Sequence, residues 1–348
     1  MARDKAILRC KAPLRISFGG GGTEVDPYRS LYGGCTLSTT IDKYVYASCR
    51  ARDDDIIEVH SLDYDIVAKY HAREAFIMDG ELDLAKAVIA KLRRGRSTKG
   101  FDLFMHSDAP PGSGLGSSST MVVALICLFK EYFKRPLTSY EIAEMAYTVE
   151  RVELGLKGGM QDQYAATFGG FNFIEFFPDK VIVNPLRLEP GILYELHYSL
   201  VLCYTGRTRQ GAGIIDDQMK HIERREKDAL EATHALKDLC VQMKNALLQG
   251  KLIAFGEILH ASWEAKRKIA SKITNPHIDE MYAEARKLGA IGGKLLGAGG
   301  GGYLLIFAPF DKKHLIMARL EAVGGKVVEF SFDFQGAVTW RTSEQATA

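Results

Sequence analysis

Apolar and polar positions fall along this chain in runs that read as successive elements. Residues 7–18 and 35–50 are rich in Ile, Leu, Val, Thr and Tyr, which suit a pleated surface, and a glycine-dense segment separates them. Two strands around a glycine loop are predicted, and a β-rich stretch continues to about residue 80. Residues 81–95 (ELDLAKAVIAKLRRG) space their apolar positions as a helix does and stop at Gly95, a suitable C-terminal cap. The pattern over 101–106 alternates like a strand, runs into APPGSGLGSSS, and gives way over 120–133 to a continuously helix-compatible run. The order there is strand, glycine loop, helix.

Another helix is predicted over 138–154, opened by a capping box in which Thr138 stands three positions before Glu141. A loop with GLKGG leads to a strand near 170–176. The stretch 213–270 is long, charged and helical in period with a break at Gly250, and reads as an antiparallel helical pair. The last part reads strand, glycine loop, strand, helix (312–322), strand, strand, and no internal repeat is visible. An α+β fold with two lobes is expected.

Composition narrows the class of protein. The 348 residues, 47% hydrophobic and 25% charged, have the profile of a soluble globular protein and not of a disordered, collagenous or coiled-coil chain. At about 150 residues per domain the length allows two domains with a ligand cleft between them. Forty-five Lys and Arg against 43 Asp and Glu leave a formal charge of +2, too balanced for nucleic acid or an anionic membrane to be the main partner. Any anion must therefore be held locally. The longest apolar run, the nine residues 121–129, is too short to span a membrane, and the basic N-terminal stretch lacks the apolar core of a signal peptide. Six scattered cysteines without a CxxC pair read as reduced core thiols, so a cytoplasmic setting is expected. The nine histidines show no zinc-ligand spacing, and KHIERREK at 220–227 mixes its charges as a solvated helix face does.

Three glycine-dense loops stand out: FGGGGTE at 18–24, PPGSGLGSSS at 110–119 and GAGGGG at 297–302. Glycine permits positive φ and close backbone approach, so such loops can present N–H groups to an anion, although the first and third taken alone are equally compatible with tight turns. The second ends in Ser117, Ser118 and Ser119, good N-cap residues, just before an apolar helix, and free N–H groups, the helix dipole and hydroxyls there suit a polyphosphate. It is not a Rossmann loop, because Ser117 takes the third glycine position after Gly112 and Gly114. Nor is a Walker loop present: the Gly-Lys steps at 293 and 325 are followed by Leu295 and Val327 where Ser or Thr is required.

PLRISFGGGGTE, a central PxxxGLGSSS and a late GAGGGG, in this order over nearly the whole chain, resemble the three motifs of the GHMP small-molecule kinases. Within that family APLRISFGGGGTEVDPYRSLYGG, GGMQDQYAATFGG and YTGRTRQGAG look most like the heptose 7-phosphate kinase branch, and the fucokinase-type branch shares them less closely. The resemblance implies a two-lobed α+β kinase, with a ribosomal-protein-like N-terminal domain over 1–190 and a ferredoxin-like C-terminal domain over 191–348, and with ATP and sugar meeting in the cleft. One departure is that Glu24 stands where relatives mostly have Asp, so the carboxylate reaches a methylene further.

Site residues follow from the resemblance together with the needs of phosphoryl transfer, which are positioning, charge stabilisation and a group to take the hydroxyl proton. The nucleotide is expected on Pro111, Gly112, Ser113, Gly114, Leu115, Gly116, Ser117, Ser118 and Ser119. By resemblance Asp162 is the base, where an isolated loop Asp would otherwise be a turn residue or cap. Arg15 lies inside an apolar strand, where a guanidinium is expensive without an anionic partner; its alternatives are a structural salt bridge and a place beside the base. Magnesium is expected on Ser118 and Glu150, with Glu150 twelve residues before Asp162, one more than in mevalonate-type members. Thr23, Glu24, Asp26 and Gln161 are candidates for the sugar, with Gly300 and Gly301 of the third loop, although Asp26 could instead cap the turn ahead of Pro27. Arg207 and Arg209, with Lys157, suit a second phosphate on the sugar.

The expected activity is an ATP- and magnesium-dependent transfer to the anomeric hydroxyl of a heptose 7-phosphate. The alternatives are a kinase of a free sugar such as L-fucose or mannose, and a silent sugar sensor on the same fold. The expected partners are ATP and a small sugar phosphate, and a homodimer stays open.

Overall fold

The first strand shows how the site is built. The computed structural model describes residues 6–93, 99–206, 212–224, 226–270 and 272–343. Strand β1 (Ala6–Gly19) pairs antiparallel with β2 (Gly34–Ala51), and the register shifts between Pro13 and Arg15, where the partner steps from Tyr44 to Thr40. Such a bulge re-aims side chains, and the backbone N–H of Arg15 reaches the carbonyl of Leu115 outside the ladder. A short helix, α1 (Tyr28–Tyr32), lies between the two strands beyond the first glycine loop.

The larger sheet continues with β3 (Ile56–Ser61), β4 (Ile66–His71) and, after helix α2 (Asp83–Arg93), with β5 (Phe101–Ser107). Gly95, expected to end α2, lies outside the described residues. Helix α3 (Ser117–Tyr132) follows the second glycine loop and is apolar on all sides, as befits a helix packed at once on the sheet and on neighbouring helices. Its Leu125, Ile126, Leu128 and Phe129 are wholly buried, each worth about 1.5–3 kcal/mol of transfer from water.

The 138–154 prediction resolves into two pieces. Helix α4 (Ser139–Tyr147) carries the expected capping box between Thr138 and Glu141, then passes into a π-helical turn over Thr148–Glu153. A π turn is how a helix takes in an extra residue, and Glu150 sits inside it. Residues read as a loop around Asp162 instead form helix α5 (Gln161–Phe168), too short for its period to stand out. Strands β6 (Asn172–Phe176) and β7 (Val181–Pro185) then extend the sheet beyond β2.

Helix α6 (Pro190–Ser199) leads to β8 (Leu200–Tyr204). The predicted helical pair is three helices: α7 (Ala212–Glu223), α8 (Lys227–Leu248) and α9 (Leu252–Arg267). The charged run around residue 224 is a break and not a continuation, and the pair proper is α8 with α9 across Gly250 at φ +67°. These two also touch β1 and β9 and so bind the two sheets together. Helix α10 (Pro276–Lys287) was not anticipated, although Asn275 caps Ile278 and Pro276 takes the first position, both start signals. Strands β9 (Gly292–Leu295) and β10 (Tyr303–Phe307), helix α11 (Lys313–Ala322) and β11 (Lys326–Val328) complete a four-stranded sheet ordered β11-β8-β10-β9. The last strands, β12 (Phe332–Asp333) and β13 (Val338–Ser343), return to pair with β2 and β1 of the larger sheet.

All six cysteines are buried and unpaired. Phe129, with no exposure, packs its ring 5.2 Å from that of Phe101 and 5.6 Å from that of Phe133. Phe129→Ala should therefore lower unfolding stability by about 3–5 kcal/mol, read as an earlier urea midpoint at unchanged slope.

Candidate active site

A cleft of about 980 Å³ lies between the loops of the two sheets, and the second glycine loop forms one wall. Gly114 and Gly116 have φ of +85° and +81°, in the left-handed region. A Cβ on Gly114 would stand 2.5 Å from the carbonyl oxygen of Leu296, and one on Gly116 would stand 3.1 Å from the Asp162 carboxyl carbon. Bare backbone is thus required on both sides. Pro111, Gly112, Gly114, Gly116, Ser117, Ser118 and Ser119 line the cleft, whereas Ser113 and Leu115 are wholly buried behind it and serve the fold through their carbonyls.

The serines do not cap α3. Gly116 is the N-cap and no side chain caps the helix, which leaves its first N–H groups open to an anion at the positive end of the dipole. The hydroxyls of Ser118 and Ser119 turn instead to Glu150, donating to Oε1 at 3.0 Å and Oε2 at 2.6 Å. Gln163 Nε2 adds a bond to Oε2 at 2.7 Å, and Arg151 lies 3.5 Å from Oε1. Glu150 is buried. An oxygen-only pair of one carboxylate and one hydroxyl is the donor set that magnesium accepts, with water filling the other positions. Among the described residues no group of three or more His, Cys, Asp and Glu is placed to hold a metal.

Arg15 and Asp162 meet across the cleft floor. Arg15 Nε and Nη2 both reach Asp162 Oδ1, at 2.8 and 2.7 Å, and Nη1 donates to the Gly114 carbonyl at 2.5 Å. The guanidinium is 3% exposed and the carboxylate 19%, so the pair is held in place on the arginine side and open on the carboxylate side. Oδ2, which faces Gly116, carries no hydrogen bond among the described residues. Asp162 can therefore accept a proton while Arg15 fixes its orientation.

Glu24 is 3% exposed and accepts from Gly22 N–H at 2.7 Å and Gln161 Nε2 at 2.8 Å, while Ser17 donates to Gln161 Oε1 at 2.9 Å. Burial pushes the Glu24 carboxyl above the usual carboxylate range. Glu24, Gln161, Lys157 and Gly301 line the cleft. Three other candidates for the sugar do not. The Thr23 hydroxyl is spent on the backbone of Cys35, which ties the first loop to β2. Asp26 caps the turn, bonding Ser30 and Arg29. Gly300 turns its backbone to Ile273 and Asn275. Arg207 and Arg209 lie outside the described residues.

Two cleft residues escaped the sequence reading. Lys266 on α9 and Lys294 on β9 are 6% and 3% exposed and line the cleft near Arg15. Burial pulls the Lys266 ammonium down to about 8 and that of Lys294 to about 7. Lys294 sits in GGKLL, an apolar strand, the very signal that had marked Arg15. The other end of the cleft is apolar, with Leu84, Met105, Met121, Leu125 and Leu154 around it, a surface for a flat aromatic ring.

The fold and site define a phosphoryl-transfer enzyme, and residues 83–170 and 243–326 match the models for the N-terminal and C-terminal domains of the GHMP kinases. The chain belongs to this family. It is 40% identical to a D-glycero-alpha-D-manno-heptose 7-phosphate kinase of Campylobacter jejuni, over 96% of this chain and 99% of the relative. A crystal structure of a D-glycero-D-manno-heptose 1-phosphate kinase from Bacteroides thetaiotaomicron is 35% identical and superposes with a TM-score of 0.82, covering 97% of this chain and all of that one. A Lactococcus lactis galactokinase with galactose shares the fold, at 20% identity and a TM-score of 0.76 over 95% of both chains. The protein is accordingly a small-molecule kinase that uses ATP and an alcohol acceptor. No helix among the described residues is long and apolar enough to cross a membrane.

Gly114→Val places a branched side chain where the Leu296 carbonyl already stands, in a conformation that valine avoids. Nucleotide titration should then show no ATP binding, and the seam between the lobes should loosen as well, read as an earlier urea midpoint, with circular dichroism below that midpoint still that of a folded protein. Normal ATP affinity in this variant would mean that the loop does not cradle the phosphates.

Proposed function

We propose that this kinase phosphorylates the anomeric hydroxyl of D-glycero-α-D-manno-heptose 7-phosphate, giving the 1,7-bisphosphate for nucleotide-activated heptose and surface polysaccharide synthesis. The observation that carries the reading is the Arg15–Asp162 pair, set 2.8 Å apart beside the bare backbone of the nucleotide loop. The relatives at 35–40% identity support the acceptor. The two relatives are named for different phosphate positions, 7 and 1, yet both are named as kinases of a phosphorylated heptose.

In this reading ATP lies with its ring in the apolar end and its phosphates on the Gly112–Ser119 backbone and the start of α3. The anomeric oxygen attacks the γ-phosphorus in line, the bond from that phosphorus to the bridging oxygen breaks, and ADP leaves. Asp162 Oδ2 takes the hydroxyl proton as the new bond forms, while Arg15, anchored on Oδ1 and on the Gly114 carbonyl, keeps the carboxylate aimed and offsets charge. Glu24, fixed by Gly22 and Gln161, accepts hydrogen bonds from sugar hydroxyls at the acceptor end. Ser118 and Glu150 hold magnesium, which when bound supplies positive charge to the polyphosphate. The six free thiols support a reducing, cytoplasmic setting.

The acceptor is tested by ADP release across a panel of heptose 7-phosphate, unphosphorylated heptose, L-fucose and mannose. Heptose 7-phosphate should give the highest kcat/KM; a preference for fucose or mannose would replace this acceptor, and no turnover of any sugar would leave a sensor. Asp162→Asn should lower kcat by about 10²–10⁴ with ATP affinity nearly unchanged. A near-wild-type kcat would reduce Asp162 to a positioning role. If Arg207 or Arg209 clamps the 7-phosphate, its replacement by Ala should cost about 1.5–3 kcal/mol, a ten- to hundredfold loss in kcat/KM, on the phosphorylated sugar alone. Equal losses on both heptoses would assign the arginines to ATP or the fold.

A further inference from the structure

The acceptor half of the cleft holds more buried positive charge than its carboxylates neutralise. Arg15, Lys266 and Lys294 are 2%, 6% and 3% exposed, and the carboxylates beside them are Glu24 and Asp162. Asp162 is taken by Arg15, which leaves Glu24, held by the neutral donors Gly22 N–H and Gln161, as the one carboxylate facing two lysines. Neither lysine has an acidic oxygen within 4 Å among the described residues. An ammonium has three donors, yet Lys266 Nζ spends one on the Gly297 carbonyl at 2.5 Å and Lys294 Nζ one on the Phe18 carbonyl at 3.2 Å. Two buried lysines, each with two donors free and sharing one carboxylate that neither touches, are costly, and an apolar side chain of the same length would fill the space without that cost.

Their placement indicates which anion they suit. Gly297, which holds Lys266, packs directly on Gly114, which holds Arg15; a Cβ on Gly297 would stand 2.6 Å from the Gly114 Cα. Lys266 and Arg15 thus hang from adjoining carbonyls and open on the same part of the cleft as Asp162. Lys294 enters from the next strand, at the head of the first glycine loop. We propose that Lys266 and Lys294 bind phosphoryl oxygens in the acceptor half of the cleft, either those of the group in transfer or those of a phosphate ester on the acceptor. The pair draws the anion away from the nucleotide loop and completes a cage with Arg15. The proposal rests on the sugar phosphate reading only for the identity of the acceptor.

The test uses Lys266→Met and Lys294→Met, which keep length and remove charge. Both should fold, with ADP affinity unchanged, and should lose at least tenfold in kcat/KM on the preferred acceptor. The same loss on phosphorylated and unphosphorylated heptose assigns the lysines to the group in transfer; a loss confined to the phosphorylated sugar assigns them to the ester. Unchanged kinetics on both would overturn the proposal. A second readout is independent of the sugar: orthophosphate titrated calorimetrically into ADP-saturated enzyme at pH 8, in two buffers of different ionisation enthalpy. Glu24 and Arg15 face both lysines, and Lys266 and the Cys240 thiol also face Lys294. With ammoniums at about 8 and about 7 in the free cleft, an incoming anion raises both, so wild type should take up protons on binding. The Lys294→Met variant should bind more weakly and take up fewer. Equal binding and equal uptake in variant and wild type would show that the lysines only fasten the loops. Failure of wild type to turn over heptose 7-phosphate would remove that acceptor and leave the orthophosphate titration to decide the lysine pair.

Discussion

The contact on which this molecule turns is backbone against backbone, where the glycine loop of the larger sheet meets the glycine loop of the smaller one. Gly114 leaves 2.5 Å for a Cβ before the Leu296 carbonyl, Gly297 leaves 2.6 Å before the Gly114 Cα, and Gly302 leaves 2.2 Å before the Ser113 carbonyl. Tyr303 N–H closes the seam on the Ser113 carbonyl at 3.0 Å. No side chain fits into such a join, so its glycines serve the assembly of the lobes before they serve any ligand. The two cations nearest the transfer point, Arg15 and Lys266, bond to carbonyls of this seam, which makes the position of charge a consequence of the packing of the lobes.

Charge in the cleft is divided by function. Glu150 is wrapped by Ser118, Ser119, Gln163 and Arg151, and Glu24 by Gly22 and Gln161, so these two carboxylates are fixed acceptors. Asp162, by contrast, has one oxygen held by Arg15 and the other free of hydrogen bonds among the described residues, the arrangement that a proton acceptor needs. A preorganised site of this kind does its work through orientation and field, which is what phosphoryl transfer asks of a protein.

The readable parts of the sequence were those where a local rule and the tertiary structure agree. The strand, glycine loop and helix from β5 to α3 follow from period and composition, and the capping box at Thr138 opens α4 as expected. The first two motifs located Arg15, Glu24 and Ser118, the GGMQDQY segment located Asp162, and the family resemblance located Glu150; all five line the cleft. The illegible parts are those where a distant contact decides. Ser117–Ser119 look like caps, but a buried carboxylate thirty residues on takes two of their hydroxyls and Gly116 takes the cap. Thr23 and Asp26 have the chemistry of sugar ligands, but Cys35 and Ser30 lie nearer than the cleft does. Lys266 could be found only by knowing which face of α9 is buried, since an isolated lysine on a long charged helix reads as solvated.

Two carboxylates of the cleft are placed by local physical means. Glu150 sits in the π-helical turn at Thr148–Glu153, which widens the helix where the carboxylate points inward at the serines. The longer reach of Glu24 is spent in bending back: its Oε2 returns to Gly22 N–H, two residues before it, and its Oε1 meets Gln161. Glu24 Cγ packs against Gly159, where a Cβ would stand 2.5 Å from it, so the bare backbone at 159 makes room for the side chain at 24. Gly159 in turn stands just before α5, whose first turn carries both Gln161 and Asp162. The carboxylate at the acceptor end therefore packs on the residue that leads into the helix carrying the base, and the first glycine loop and the start of α5 hold each other in place.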